Sequence, residues 1–243
     1  AFGYQSLAQQ AGVSIYTHSP VESIERNNNK LTLKTSEATV NAQKVVIATN
    51  GYTPKGFHPA VHQKTLPVLS QIIVTEPLSE SQLEACNFYS SNVVMDTRAL
   101  KYYYRKLPDN RILFGGRGAI TGKGSQDPYF ANRLLAVLKS SFPSLANIKI
   151  DYAWAGWICM ALDDLPHVYQ DEHQQVFYSM GYCGSGVSFS VQAGKRLADK
   201  IAEQSVPDIP LYNKALPTFP FAPLRRLGQW GYFQYGKFAD RYL

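Results

Sequence analysis

The sequence predicts a mixed α/β fold, and three observations carry that prediction. The first is the β-branched run Lys-Val-Val-Ile-Ala-Thr at 44–49, which is typical of a strand buried on both faces. The second is a strand at 176–180 that leads through the glycine-rich loop 181–186 into a helix over 187–204. The third is a set of short apolar segments joined by turns, which predicts an antiparallel sheet with strands at 70–75, 101–105 and 111–115.

The N-terminal region predicts a helix followed by short strands. The helix covers 5–12 and ends at Gly12, which can adopt the left-handed conformation common after a helix. Residues 13–18 then alternate as a strand. A hairpin is expected from 20–24 and 31–35, with the polar turn Asn27-Asn-Asn29 between them.

Three further segments are assigned from helical spacing and proline content. Leucine and valine recur at helical spacing over 132–141, and Pro143 ends this helix. Five prolines between 207 and 223 predict an extended segment. In 219–243 the aromatic residues recur at helical spacing, so we expect an amphipathic helix packed on its own domain. Contact of this tail with a membrane surface is the alternative.

Composition limits the classes of function. The chain has 243 residues, of which 45% are hydrophobic and 17% charged, without a run long enough to span a bilayer or a secretory signal pattern. We therefore expect a soluble, cytoplasmic protein. The net charge of +6 comes from basic residues scattered among acids, which does not favour nucleic-acid binding. A positive field would instead attract an anionic cofactor or substrate.

The cysteines and histidines do not predict a disulfide or a metal site. Cys86, Cys159 and Cys183 are odd in number and form no Cys-x-x-Cys pair, so we expect free thiols. His58 and His62 have a four-residue spacing, but Pro59 between them disfavours a helix carrying both ligands.

The loop at 181–186 has the composition of a ligand-binding turn. Glycines let the backbone approach a ligand closely, and the helix that follows offers unpaired N–H groups with a partial positive charge. This arrangement suits an electron-rich acceptor, although glycine turns before helices are often purely structural.

Three motifs occur in a specific order: Trp154-Ala-Gly-Trp157, Asp163-Asp-Leu-Pro166 and Gly181-Tyr-Cys-Gly-Ser-Gly-Val187. Together they resemble the C-terminal block of the glycine/D-amino-acid oxidase class of FAD-dependent amine oxidoreductases. Tyr103-Tyr-Arg105 with residues 109–116 resembles the substrate-sheet hairpin of that class, and the tail resembles gamma-glutamylputrescine oxidoreductase-like members. The resemblance implies a partial FAD-binding Rossmann-like domain plus an antiparallel-sheet substrate domain.

The same resemblance implies a division of the chain. Residues 1–60 and 153–206 would belong to the FAD-binding domain, 61–152 would form the substrate-binding sheet with its helix, and 207–243 the C-terminal tail.

The resemblance also implies where FAD binds. Val21 would approach the adenine, and the strand-end turn Ala48, Thr49, Asn50 and Gly51 would lie beside the cofactor. The flavin ring would be cradled by Gly181, Tyr182, Cys183, Gly184, Ser185, Gly186 and Val187. The alternatives are an ordinary turn at 48–51 and a core position for Val21. We expect non-covalent FAD, because Cys159 does not align with the linking position and Cys183 fits as a small residue near the ring.

One expected motif is missing. Gly116-x-Gly118 and Gly122-x-Gly124 do not continue to the third glycine of a Gly-x-Gly-x-x-Gly fingerprint. We therefore expect this chain to be the C-terminal portion of a longer protein and to require a preceding segment as its partner for FAD.

The reaction implied by the resemblance is oxidation of an amine C–N bond, with hydride transfer to flavin N5 and hydrolysis of the resulting imine. Related α-amino-acid oxidases carry an arginine soon after the Trp-x-Gly block, and residues 157–161 contain none. We therefore hypothesise a small-molecule amine, such as a gamma-glutamyl-type amine, as substrate. Tyr103 and Arg105 share one strand face and are candidate substrate-binding residues, unless the tyrosines only support the sheet. No catalytic residue is assigned.

The sequence leaves two alternative functions open. A non-catalytic binding or interaction module could keep the fold after losing its dinucleotide-binding segment. A flavin domain of an RNA-modifying enzyme would need a second catalytic domain, and the sequence shows none.

Overall fold

The computed structural model describes residues 1–28, 30–171 and 175–242, which form three sheets with flanking helices. The strands are β1 Ser23–Asn27, β2 Lys30–Lys34, β3 Thr39–Ala42, β4 Val45–Ile47, β5 Leu66–Thr75, β6 Val94–Met95, β7 Tyr103–Lys106, β8 Ile112–Arg117, β9 Ile150–Met160, β10 His167–Asp171 and β11 Val176–Met180. The helices are α1 Phe2–Gln10, α2 Glu80–Ala85, α3 Pro128–Ser141, α4 Gly186–Ile201, α5 Pro210–Asn213 and α6 Arg225–Tyr242.

The largest sheet is antiparallel and has the order β6-β7-β8-β5-β9. Helix α3 covers one face, where Ile73, Phe114, Leu134 and Leu138 are at most 1% exposed. The predicted strands at 70–75, 101–105 and 111–115 and the predicted helix at 132–141 are therefore confirmed.

Local chemistry fixes both ends of α3. At its start, the Asp127 carboxylate accepts a hydrogen bond of 2.9 Å from the Tyr129 N–H, and Pro128 occupies the first helical position. Its end comes at Ser141, just before Phe142 and Pro143. The helix is thus held in the register that turns Leu134 and Leu138 toward the sheet.

The opposite face of this sheet does not contact α3, and α6 approaches it only at the end formed by Leu66, Val68, Ile158 and Met160. Ser70 and Tyr103 are only partly buried there, whereas Arg105 and Trp154 are exposed. We call the part of this face that carries these four residues the uncovered face. Because side chains alternate along a strand, it carries the residues that do not point toward α3.

A second sheet has the order β10-β11-β4, with β4 parallel to β11. Strand β11 is buried along its whole length. The prediction that β4 is buried on both faces is wrong at Val46, which is 42% exposed, while Val45 and Ile47 are buried. Val46 lines a cavity instead of a packed core.

The N-terminal region differs in part from its prediction. Helix α1 is present, and Gly12 has a φ of +87°. Residues 13–18 form no strand, and Val13 and Tyr16 are 53% and 80% exposed, because the described residues offer this apolar alternation no partner strand. The β1–β2 hairpin is confirmed, although β1 begins only at Ser23. Asn29 of the predicted turn lies outside the described residues.

Strand β9 is the main element that the sequence did not predict. Its 11 residues pair with β5 along nearly their full length, and they contain the Trp154-Ala-Gly-Trp157 motif. The expected domain boundary between 152 and 153 falls within this strand. The division into domains stays a prediction.

The C-terminal helix α6 packs against the large sheet and its loops. The Asp240 carboxylate accepts hydrogen bonds from the Ala99 and Leu100 N–H groups, at 2.6 and 3.1 Å. Gly236 lies directly against the Leu100 side chain. These contacts confirm a helix packed on its own domain. The segment before it is extended except for α5 and a single 3₁₀ turn. None of the helices in the described part of the chain is long and apolar enough to cross a membrane.

Tyr178→Phe is expected to lower the free energy of unfolding by about 1–3 kcal/mol. The Tyr178 hydroxyl is buried and accepts a 2.8 Å hydrogen bond from the Leu216 N–H, which would lose its partner. Urea denaturation of the purified protein measures the change. Tyr169→Phe is the matched control, because the Tyr169 ring packs against Tyr178 and its hydroxyl makes no hydrogen bond to the described residues. Equal stability of Y178F and Y169F would contradict the assignment.

Candidate cofactor and substrate site

The glycine-rich loop after β11 folds back onto the end of β9. Gly181, Cys183 and Gly184 have φ values of +77°, +50° and +98°. The Cys183 N–H donates to the Cys159 carbonyl at 2.9 Å, and the Cys183 sulfur accepts from the Ala161 N–H at 3.3 Å. The loop is thereby attached to β9 of the large sheet, although β11, the strand that leads into the loop, belongs to the β10-β11-β4 sheet.

Both cysteines at this junction are poor nucleophiles. Burial raises the pKa of the Cys183 thiol to about 12, and burial also raises the pKa of Cys159. A thiol in this state stays protonated near neutral pH. With Cys86, all three cysteines are free.

The start of α4 is open to a ligand. Ser185 is the N-cap residue, but its hydroxyl donates to the Tyr182 carbonyl at 2.6 Å and does not cap the helix. A Cβ added at Gly184 would meet no atom within 4 Å, and Val187 is 96% exposed. The first N–H groups of α4 therefore face open space, where their partial positive charge favours an anion.

The turn after β4 contacts this loop. The Asn50 side-chain carbonyl accepts a 3.3 Å hydrogen bond from the Gly181 N–H. Gly51 lies so close to β9 that an added Cβ would be 2.7 Å from the Trp157 carbonyl oxygen. The structure thus brings together the two predicted cofactor segments, 48–51 and 181–187.

Val21 lies on a cavity of about 380 Å³ that also includes Thr49. Its other lining residues include Val46 and Tyr52. Tyr52 was not predicted as a site residue. Its hydroxyl accepts a 3.3 Å hydrogen bond from the Trp157 N–H. In the sequence, its position directly after Asn50-Gly51 could have indicated that it belongs to the site.

The Asp163-Asp-Leu-Pro166 motif anchors the chain between β9 and β10. His167 is 1% exposed, and its Nε2 donates to the Asp163 carboxylate at 3.1 Å. Burial raises the pKa of Asp163, but the interactions with His167 and the hydrogen bonds from backbone N–H groups together outweigh it, so this pKa is lowered. This motif positions the backbone before the glycine loop.

Tyr103 and Arg105 both lie on the uncovered face. The Tyr103 hydroxyl is 2.8 Å from the Ser70 hydroxyl, and the Tyr103 ring lies over Gly115. Burial raises the pKa of Tyr103. Arg105 is exposed, and neither Tyr103 nor Arg105 lines the apolar cavity between the large sheet and α6.

An apolar cavity of about 830 Å³ lies between the large sheet and α6. Ile158 and Met160 of β9 and Leu66 and Val68 of β5 form one wall, and residues of the tail form another. The sequence did not predict it, because it needs the β5–β9 pairing and the docking of α6 at once.

Comparison with known proteins identifies the class of this chain. The model of the family "DAO: FAD dependent oxidoreductase" matches residues 1–200. A probable oxidoreductase, OrdL, of Haemophilus influenzae is 36% identical over 206 residues, which cover 82% of this chain and 45% of the relative. The gamma-glutamylputrescine oxidoreductase of Escherichia coli is 31% identical over 93% of this chain and 52% of its own length.

A solved structure, glycine oxidase from Geobacillus kaustophilus, has the same fold with a TM-score of 0.67. It is 18% identical to this chain, and the match covers 88% of this chain and 55% of that one. The chain belongs to the DAO family of FAD-dependent oxidoreductases. It spans about half the length of the curated relatives it matches.

The described residues fit the part of an FAD site that they would form. The uncapped start of α4 and the side-chain-free position at Gly184 leave room for a flat, electron-rich group. The cavity at Val21 and Thr49 offers a separate apolar surface.

Proposed function

We propose that the protein oxidises the C–N bond of a small-molecule amine with non-covalently bound FAD. The observation that supports this most directly is the attachment of the glycine loop and the α4 start to the end of β9, next to the large sheet. The proposal assigns 1–60 and 153–206 to FAD binding, 61–152 to substrate binding and 207–243 to the tail.

In this proposal the chain supplies binding, orientation and exclusion of water. Bound FAD would accept the hydride that leaves the substrate carbon. The N–H groups at the start of α4 would stabilise negative charge on the cofactor, in the way that preorganised donors stabilise an oxyanion. Val21, Ala48, Thr49, Asn50 and Gly51 would line the rest of its path. The protonated, inward-facing thiols of Cys159 and Cys183 support non-covalent binding.

The proposed substrate is a gamma-glutamylputrescine-like amine. Ile158 and Met160 line an apolar wall on the strand segment where related α-amino-acid oxidases carry an arginine. An apolar pocket favours a neutral amine, which is the form that can release a hydride. The Escherichia coli relative is a gamma-glutamylputrescine oxidoreductase, so gamma-glutamylputrescine is the amine to test first.

The test uses the protein expressed from its complete gene and purified with FAD. We expect a flavin absorbance band in the range of about 350 to 500 nm that acid precipitation releases into the supernatant. We also expect faster reduction of this band by gamma-glutamylputrescine than by glycine or D-alanine. Faster reduction by the α-amino acids would contradict the proposed substrate, and absence of flavin would favour the non-catalytic binding module.

Tyr103→Phe is expected to raise KM for the amine about three- to tenfold with a smaller change in kcat. We propose that the substrate extends beyond the apolar cavity along the same face of the sheet, where the Tyr103 hydroxyl, oriented by Ser70, contacts it with Arg105 beside it. Steady-state kinetics of the complete protein measures the effect.

Tyr104→Phe is the matched control for Tyr103→Phe. Tyr104 lies on the covered face and stacks with Phe114, so its hydroxyl is not offered to the uncovered face. Equal kinetics of Y103F and the unmodified protein would leave Tyr103 with a structural role in the sheet.

A further inference from the structure

A second cavity, which we call the basic cavity, lies between the start of α3, the segment after β8 and α6. Its volume is about 430 Å³. Its charged lining residues, all basic, are Arg117, Lys123, Arg133 and Lys237. No described Asp or Glu lines it. Four positive charges thus surround one concave space.

The described residues compensate these charges only in part: Tyr102 and the charge of Asp240 raise the pKa of Arg117, but this pKa is lowered on balance. None of the four side chains forms a salt bridge with a carboxylate in the ranges 1–28, 30–171 and 175–242. The nearby Asp240 carboxylate has both oxygens hydrogen-bonded to the Ala99 and Leu100 N–H groups. It is therefore already committed to holding α6 in place.

The two arginines are the partly buried members of this cluster, and the two lysines are exposed. The Arg117 guanidinium lies 5.4 Å from the Tyr102 ring centre and 5.6 Å from that of Phe233. Burial lowers the pKa of Arg117, and the charge of Arg133 lowers it further. Arg133 donates to the Arg117 carbonyl, while its Nε atom is buried without a hydrogen-bond partner in the described structure.

Such a cluster costs free energy unless an anion offsets it. Burying like charges side by side is unfavourable, and a buried donor without an acceptor adds to this cost. Guanidinium groups bind carboxylates and phosphates through paired hydrogen bonds, and lysine ammonium groups at the rim add attraction. The Arg133 Nε atom has no acceptor among the described residues.

We propose that the basic cavity binds a small anion with at least two negative charges, such as a phosphate ester or a polycarboxylate. The concave shape and the volume suit a ligand of this size better than an extended nucleic-acid strand, which needs a long basic groove. The three aromatic rings of Tyr102, Phe130 and Phe233 allow the ligand an apolar part.

The site is distinct from the proposed FAD site. It shares no lining residue with the Val21 cavity and none with the loop at 181–187. Arg117 and Phe233 also line the apolar cavity on the other side of α6, so the two spaces meet at this guanidinium. Because anion binding is measured without turnover, the test of this proposal does not require flavin reduction by an amine.

The experiment is isothermal titration calorimetry on the FAD-loaded protein from the complete gene. Pyrophosphate and citrate are the probes, acetate is the monovalent comparison, and ionic strength is held constant with potassium chloride. We expect saturable binding of one equivalent of pyrophosphate or citrate, and no saturable binding of acetate. Tighter binding of pyrophosphate would identify a phosphate ligand, and tighter binding of citrate a carboxylate ligand.

The double variant Lys123→Gln/Lys237→Gln removes two exposed charges from the rim, and its fold can be checked by the melting temperature. It should weaken binding at least about tenfold. The control Lys30→Gln/Lys149→Gln makes the same charge change at two exposed positions elsewhere and should leave affinity unchanged. The proposal would be overturned by an equal loss of affinity in the two double variants or by no saturable binding of pyrophosphate or citrate. Tighter binding of single-stranded DNA than of either probe would also overturn it.

Discussion

Gly184→Val, in the protein expressed from its complete gene, is expected to weaken FAD binding at least about tenfold, and more if the loop rearranges. Gly184 has a φ of +98°, a backbone conformation that a β-branched residue adopts only with strain of about 1–3 kcal/mol. The added side chain would also occupy the open space before the start of α4. Fluorescence titration of the apoprotein with FAD measures the change.

Gly124→Val is the matched control for Gly184→Val. Gly124 also has a positive φ, +71°, and an added Cβ there would meet no atom within 4 Å. Backbone strain is thus similar, but Gly124 lies in the loop before α3, away from the glycine loop at 181–186. If both variants bind FAD as tightly as the unmodified protein, the glycine loop does not cradle the cofactor.

Phe114→Ala is expected to cost about 3–5 kcal/mol of unfolding free energy. The Phe114 ring is 1% exposed and stacks with both Tyr102 and Tyr104, at centroid distances of 5.5 and 5.6 Å. Its removal leaves a cavity between the large sheet and α3 that these neighbours cannot fill without leaving their positions. Chemical denaturation followed by circular dichroism measures the loss.

Phe2→Ala is the comparison for Phe114→Ala, because Phe2 is 85% exposed in α1. Its replacement should change stability by less than about 0.5 kcal/mol. A loss of similar size in F2A and F114A would mean that the core does not lie between the sheet and α3.

Much of the fold could be predicted because local pattern and tertiary structure agree. The β-branched run around Val45, the hairpin at 103–117 and the helix around Leu134 each carry their own periodicity and turn residues. One prediction failed because a local pattern does not show whether a strand has a neighbour to pair with. Residues 13–18 alternate as a strand, but a strand also needs a partner, and the described residues give it none.

The candidate site was predictable only as separate segments. The composition of 181–187 indicated a ligand loop, but no sequence pattern could show that Asn50 bonds to Gly181 across 131 positions. Strand β9 was missed because its small and aromatic residues neither alternate clearly nor form a continuous apolar run. The basic cavity was missed for a related reason: its four basic residues come from β8, the loop after it, α3 and α6, and they look scattered in the sequence.

The hydrogen bond between Asn50 and Gly181 has a consequence for biosynthesis. At ribosomal rates of roughly 5–20 residues per second, the 131 positions between them take on the order of ten seconds to translate. During that interval β4 has emerged without β11, its only hydrogen-bonded neighbour in the described sheet. Val45 and Ile47 therefore lack their core partners Tyr178 and Met180 until β11 is made, which favours binding by chaperones that shield apolar strands during synthesis.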